Sequence, residues 1–225
     1  MECSGETSVH KPETAAVFTR TLAGLKRRGS GLLLIGPEPV MEQACGRFLG
    51  ESETEPRRRV FVRTRGGHTH SHEPSAGSVK VVERATHTRS ATAISSGGCE
   101  TDTTVVTSTS LPSLGITISE AIDEFERESG GLASGELRVC FDSLTPLLEE
   151  HSRESVFRFL HVLTARIRNV RGMAHFHLPA DMDSMVVRTL SPAFDAVVEV
   201  CATGEVAEQR WHLVRQDVTT GWLSL

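Results

Sequence analysis

Residues 31–50 read GLLLIGPEPVMEQACGRFLG, and this stretch decides the fold. Leu32 to Ile35 form a short continuous apolar run of the kind found in a strand buried on both faces. Gly36 follows as a turn, and Val40, Ala44 and Phe48 then recur at helical spacing. Strand, glycine turn and helix is the local order of a phosphate-binding loop, G-x-x-x-x-G-K-[ST]. Starting from Gly36, however, the positions of the second Gly, the Lys and the Ser or Thr hold Met41, Glu42 and Gln43.

Each change removes something a phosphate needs. Backbone N–H groups and a helix N-terminus wrap the anion, Lys neutralises it and a hydroxyl holds Mg²⁺. Glu42 reverses the charge at the Lys position, and a carboxylate a few ångströms from a phosphate in a partly desolvated pocket costs on the order of several kcal/mol. Gln43 has no hydroxyl, Met41 adds a Cβ where the backbone must approach closely, and Pro37 and Pro39 each remove an N–H donor. Glu42 is expected in the first turn of the following helix, where it favours the helix dipole. The corner therefore reads as one kept for its architecture.

Working outward, KPETAAVFTRTLAGLKRRG predicts an amphipathic helix with Pro12 in its first turn, Phe18, Leu22 and Leu25 on one face and a basic end. RRRVFVRT predicts a second strand. Between Arg65 and Ser110 the chain is rich in Gly, Ser, Thr, His and charge, with strand-like pieces only at VKVVE and TTVVTS. Two or three strands with mobile loops around 64–78 and 86–101 are expected there. SLPSLGITISEAIDEFERES predicts a helix capped by Ser110, and LRVCFD an apolar strand closed by Asp142. SRESVFRFLHVLTARIRNV is the clearest helix, with Ser152 as cap and Val156, Leu160, Leu163 and Ile167 as its stripe. MAHFHL and DAVVEVCA are further strands, and the tail predicts two more strands, antiparallel at one sheet edge.

Strands alternating with helices imply an α/β fold with a mostly parallel sheet covered on both faces. A chain of 225 residues suits one such domain, expected over residues 12–225 behind a disordered tail at 1–11. Net charge is −5, which excludes a global attraction to nucleic acid or anionic membranes. No stretch is long and apolar enough to span a membrane, and the start MECSGETSVH lacks the basic and apolar regions of a signal peptide, so a cytoplasmic location is expected.

The order of motifs resembles the RecA/KaiC-like branch of P-loop NTPases, and more closely the KaiC-like proteins of halophilic archaea. The likeness covers most of the chain and rests on LLLIGPEP, SLGITISEAIDEFE, LRVCFDSLTPLLE at the Walker B position, FRFLHVLTARIRNVRGMAHFHLP and FDAVVEV. It implies a three-layer RecA-like domain with a degenerate Walker A motif. Gly36, Asp142 and Ser143 then mark a vestigial nucleotide site with no catalytic residue. In the resembled family the strand after the Walker B helix ends in a residue that senses the γ-phosphate, and here that strand ends at Leu178 and Pro179, with His177 one residue earlier. The implied role is a non-catalytic regulatory or scaffolding protein, a pseudo-ATPase without a cofactor, working through protein partners in signal transduction or gene regulation. Those partners include a second copy or related ATPases, with neither membrane nor nucleic acid among them. The competing reading is a divergent ATPase that binds ATP and Mg²⁺ and completes its site in an oligomer.

Other motifs take blander readings. HTHSHE places His68, His70 and His72 at alternate positions, but its Gly and Pro flanks mark a loop rather than a built metal site. His175 and His177 read as polar groups satisfied at a sheet edge. Arg57, Arg58, Arg59, Arg63 and Arg65 read as a solvated surface balanced by Glu51, Glu53 and Glu55. The five cysteines are odd in number, far apart and without a C-x-x-C pair, so neither a disulfide framework nor a zinc site is expected; Cys45, Cys140 and Cys201 read as small buried hydrophobes.

Overall fold

β1 (Ser30–Ile35) is buried at all six positions, as a strand covered on both faces must be. The computed structural model describes residues 12–50, 57–65, 78–85, 102–204 and 206–225. Around β1 the chain runs through α1 (Pro12–Arg28), α2 (Glu38–Leu49), β2 (Arg58–Arg63), β3 (Ser78–Arg84), β4 (Asp102–Val106), α3 (Leu111–Ser129) and β5 (Leu137–Phe141). It continues through α4 (Thr145–Glu150), α5 (Arg153–Asn169), β6 (Met173–Leu178), α6 (Met185–Leu190), a 3₁₀ turn at Ser191–Ala193, β7 (Ala196–Thr203), β8 (Val206–Leu213), β9 (Val218–Thr219) and β10 (Leu223–Ser224).

The strands form one sheet in the order β10-β8-β7-β1-β6-β5-β2-β3-β4, with β9 also on β8. Every pair from β7 to β4 is parallel, and β8 turns back antiparallel on β7 to start the C-terminal edge. The expected α/β architecture is therefore present. The sheet separates two helical layers. Leu33, Ile35, Val62, Phe141 and Phe176 pack toward α3, α5 and α6, while Leu32, Leu34 and Val198 pack toward α2 and the partly buried Phe18 and Leu22 of α1. The period-2 alternation of side chains along each strand divides the two sets.

Local signals worked where they were self-sufficient. Ser152 accepts an N–H from Ser155 at 3.2 Å, and all four residues of the α5 stripe are buried. Ser110 occupies the N-cap of α3 but makes no side-chain cap bond; its own N–H goes to Ser108 Oγ. The tail at 1–11 and the loop at 86–101 lie outside the described residues, as do 66–77. Thr64, expected in a mobile loop, is fully buried, because its N–H and hydroxyl both bond the Asp142 carboxylate. Cys201, expected to be a plain buried thiol, is disulfide-bonded. Among the described residues, no helix is long and apolar enough to cross a membrane.

Candidate functional site

The connection from β1 to α2 is only Gly36 and Pro37 long. A phosphate loop needs several residues of non-helical backbone to turn its N–H groups inward, and here Glu38 to Gln43 are already helical. Val40 and Met41 give their N–H groups to the Pro37 carbonyl at 3.1 and 3.0 Å, and Pro39 has none to give. Met41 is buried in the α2-side core, while Glu42 and Gln43 face solvent one turn into the helix. Glu38, rather than Glu42, is the carboxylate in the first turn. Gly36 is required for a different reason than phosphate binding: its φ is +134°, and a Cβ there would lie 2.2 Å from the Val200 carbonyl oxygen of β7.

Asp142 ends β5 at the same sheet edge, with its carboxylate almost wholly buried. One oxygen accepts the Thr64 N–H at 2.9 Å and the Thr64 hydroxyl at 2.7 Å; the other accepts the Arg65 N–H at 3.4 Å. Ser143 is buried too. Its carbonyl accepts a second contact from Thr64 Oγ, and its hydroxyl accepts the Thr145 N–H at 3.2 Å in the manner of a turn. Arg65 pairs with Glu38 at 2.5 Å and so connects the end of β2 to the first turn of α2, between the two corners. Gly36, Asp142 and Ser143 thus lie on one edge of the sheet, each held by contacts within the protein.

Beneath α2 the fold assembles a second group of residues. β5 and β6 are parallel neighbours with Cys140 opposite His175, and His177 lies two residues on, on the same face. Cys45, on the inner side of α2, comes down onto them. Its Sγ is 3.4 Å from Cys140 Sγ and 3.2 Å from His175 Nε2. One donor atom from each of Cys45, Cys140, His175 and His177 lies within 4.8 Å of every other. Both cysteines are free thiols, and all four residues are at most 2% exposed. The contact with Cys45, then burial, pushes the Cys140 thiol well above its ordinary pKa, with the negative charge of Asp142 adding a smaller push. Phe48 packs against His175, ring centroids 5.6 Å apart, and closes one side.

The sequence placed the two histidines at a sheet edge; β6 instead lies between β1 and β5, where parallel strands are covered on both faces. His177 faces the α2 layer, and Leu178 ends the strand. Alternation was legible at His175 and His177, but nothing in spacings of 95 and 130 residues announces that Cys45 will meet Cys140 and His175. HTHSHE lies outside the described residues, as do Glu51, Glu53 and Glu55.

The arginine cluster is not a solvated surface. Arg59 is 3% exposed and bonds the Gly50 carbonyl, Arg57 bonds the Gly135 carbonyl, and Arg58 pairs with Glu128 and Glu136. These side chains tie β2 to its neighbours. On the opposite layer, α3 and α5 leave a groove of about 660 Å³ whose lining includes Ile116, Phe159 and Val162 and the Asp123–Arg166 ion pair. Ile116 and Val162 are more than half exposed.

Residues 29–200 match the model of a family of unknown function (DUF7504). The chain belongs to DUF7504. The DUF7504 region takes in Gly36, Asp142, Ser143 and all four residues of the cysteine–histidine group, and leaves α1 and the antiparallel edge outside. No curated protein matches the chain.

Proposed function

We propose that this DUF7504 protein is a non-catalytic pseudo-ATPase of RecA/KaiC-like type, a regulatory or scaffolding protein that acts through protein partners. The observation that carries this reading is the state of Asp142. A carboxylate that serves Mg²⁺ through water must present an oxygen to solvent at the sheet edge. Here the carboxylate is buried, with one oxygen accepting two bonds from Thr64 and the other facing the Arg65 N–H. The Arg65–Glu38 ion pair joins the two corners between which a nucleotide would lie. The two-residue corner before α2 and the exposed Glu42 agree with it.

Support for RecA/KaiC-like descent comes from the arrangement of the three corners. The glycine corner after β1, the end of β6 and the aspartate corner after β5 stand side by side. The partner half of the reading is supported by the α3–α5 groove, whose lining of exposed apolar side chains and charges of both signs suits a protein surface better than a nucleic acid. The inward-bonded Arg57 and Arg59 point the same way. A role in signal transduction or gene regulation is part of this proposal.

Titration of the full chain with labelled ATP and Mg²⁺ tests it. No binding at millimolar nucleotide is expected. Micromolar binding that disappears in Asp142→Ala overturns the reading in favour of a divergent ATPase.

A further inference from the structure

We propose that Cys45, Cys140, His175 and His177 form a closed tetrahedral site for one structural Zn²⁺ ion, which pins α2 to β5 and β6. The donor set comes first. Two thiolates and two imidazoles are the ligands that Zn²⁺ takes in its four-coordinate structural sites, and a tetrahedral S₂N₂ set selects it over hard cations such as Mg²⁺ or Ca²⁺. The two thiolate charges cancel that of the ion, so the occupied site is neutral and suits a region with no access to solvent.

Distance comes next. Zn–S bonds near 2.3 Å and Zn–N bonds near 2.0–2.1 Å, opened to the tetrahedral angle, hold ligand atoms roughly 3.3–3.8 Å apart. The Cys45–Cys140 separation of 3.4 Å and the Cys45–His175 separation of 3.2 Å already approach this range, and no pair in the group exceeds 4.8 Å. Shifts of a few tenths of an ångström to about an ångström close the site. The placement also resists chance. Three elements contribute, and two of the four ligands are set by the parallel register that puts Cys140 beside His175.

Burial then gives the ion its role. With all four side chains at most 2% exposed, no coordination position is left for water or substrate, which separates a structural site from a catalytic one. Metal capture in such a site is part of folding. The location has a further meaning: α2 is the helix whose N-terminal loop would clasp phosphate in a working ATPase, and here its middle is clasped from below. The zinc inference does not depend on the pseudo-ATPase reading, because a nucleotide titration leaves it untouched.

Two thiols 3.4 Å apart can also oxidise to a disulfide, but that chemistry uses neither histidine. The test is cobalt substitution of the full chain, expressed in cobalt-supplemented medium and purified under reducing conditions. Elemental analysis of the ordinary preparation is expected to find about one zinc per chain. The cobalt form is expected to show thiolate-to-cobalt charge transfer in the near ultraviolet together with intense tetrahedral d–d bands. Cys45→Ala removes or greatly weakens the charge-transfer band. Combined His68→Ala, His70→Ala and His72→Ala, which removes the other histidine-rich stretch, leaves the spectrum unchanged. A reduced, folded wild-type protein with neither zinc nor the cobalt bands overturns the proposal without reference to any variant. Bands lost in the triple histidine variant, or a Cys45–Cys140 disulfide that survives the reducing purification, overturn it equally.

Discussion

The two layers that cover the sheet are built on different principles. Toward α3, α5 and α6 lies one continuous apolar cluster, in which Ile118, Ile122, Phe125, Leu160 and Leu163 meet Val62, Phe141 and Phe176. It is accompanied by buried charges that each pair with a helix: Lys80 with Glu124, Arg84 with Glu150 and Asp195 with Arg168. Toward α1 and α2 the same strands present Cys140, His175 and His177 among aliphatics, with Asp142 at the strand end. Apolar contacts are non-directional and tolerate volume-conserving swaps, whereas buried polar groups must be satisfied one by one. The larger apolar cluster lies on the α5 side, whereas the α2 side sets two thiols and two imidazoles against one another beneath its helix.

The largest effect sharpens the apolar half. Phe125 is fully buried between α3 and the sheet, so Phe125→Ala is expected to cost roughly 3–5 kcal/mol in urea unfolding. On the other half, Asp142→Asn should lower stability by about 1–3 kcal/mol, since it weakens acceptors for two buried Thr64 donors. A variant as stable as wild type would mean that Asp142 is not held by Thr64 as described. Gly36→Ala should cost roughly 1–3 kcal/mol from backbone strain, more if the clash with the Val200 carbonyl cannot relax. Thermal unfolding of that variant measures the close approach of β7.

Glu199, on β7, tests electrostatics away from both cores. Burial raises its carboxyl pKa, but hydrogen bonds from His212 and Arg210 outweigh that and hold it below the usual carboxylate value. A lowered folded-state pKa contributes stability above the unfolded pKa and loses it as pH falls through the folded one. Glu199→Gln should therefore be less stable than wild type near neutrality, with the gap closing in acid; urea midpoints across pH read this directly. The smallest effect is expected at the exposed Glu154–Arg158 pair on α5, where Glu154→Ala should change stability by less than about 0.5 kcal/mol. A larger loss would mean that the α5 surface is more than a solvated face.

Most elements were legible because their signals are local. The α5 stripe, the Ser152 cap, the apolar run of β1 and the Asp that ends β5 each depend on residues within a turn or two. What failed were readings that needed a partner. Arg57, Arg58 and Arg59 look like surface charge until Gly50, Gly135, Glu128 and Glu136 are brought beside them. Nor does any local pattern announce the close approach of β7 to Gly36 or the hydrogen bonds of Thr64 to Asp142.

By itself, then, the sequence determined the α/β class, the parallel core with its antiparallel C-terminal edge, and the presence of Met41, Glu42 and Gln43 where a phosphate-binding loop would carry Gly, Lys and Ser or Thr. Periodicity and residue chemistry suffice for these, since both act over short stretches of chain. Only the tertiary structure decided that Cys45 meets Cys140, His175 and His177, because that meeting depends on strand order and on which face of β5 and β6 α2 covers. Sheet order is set by crossovers between distant segments, and no local pattern encodes it.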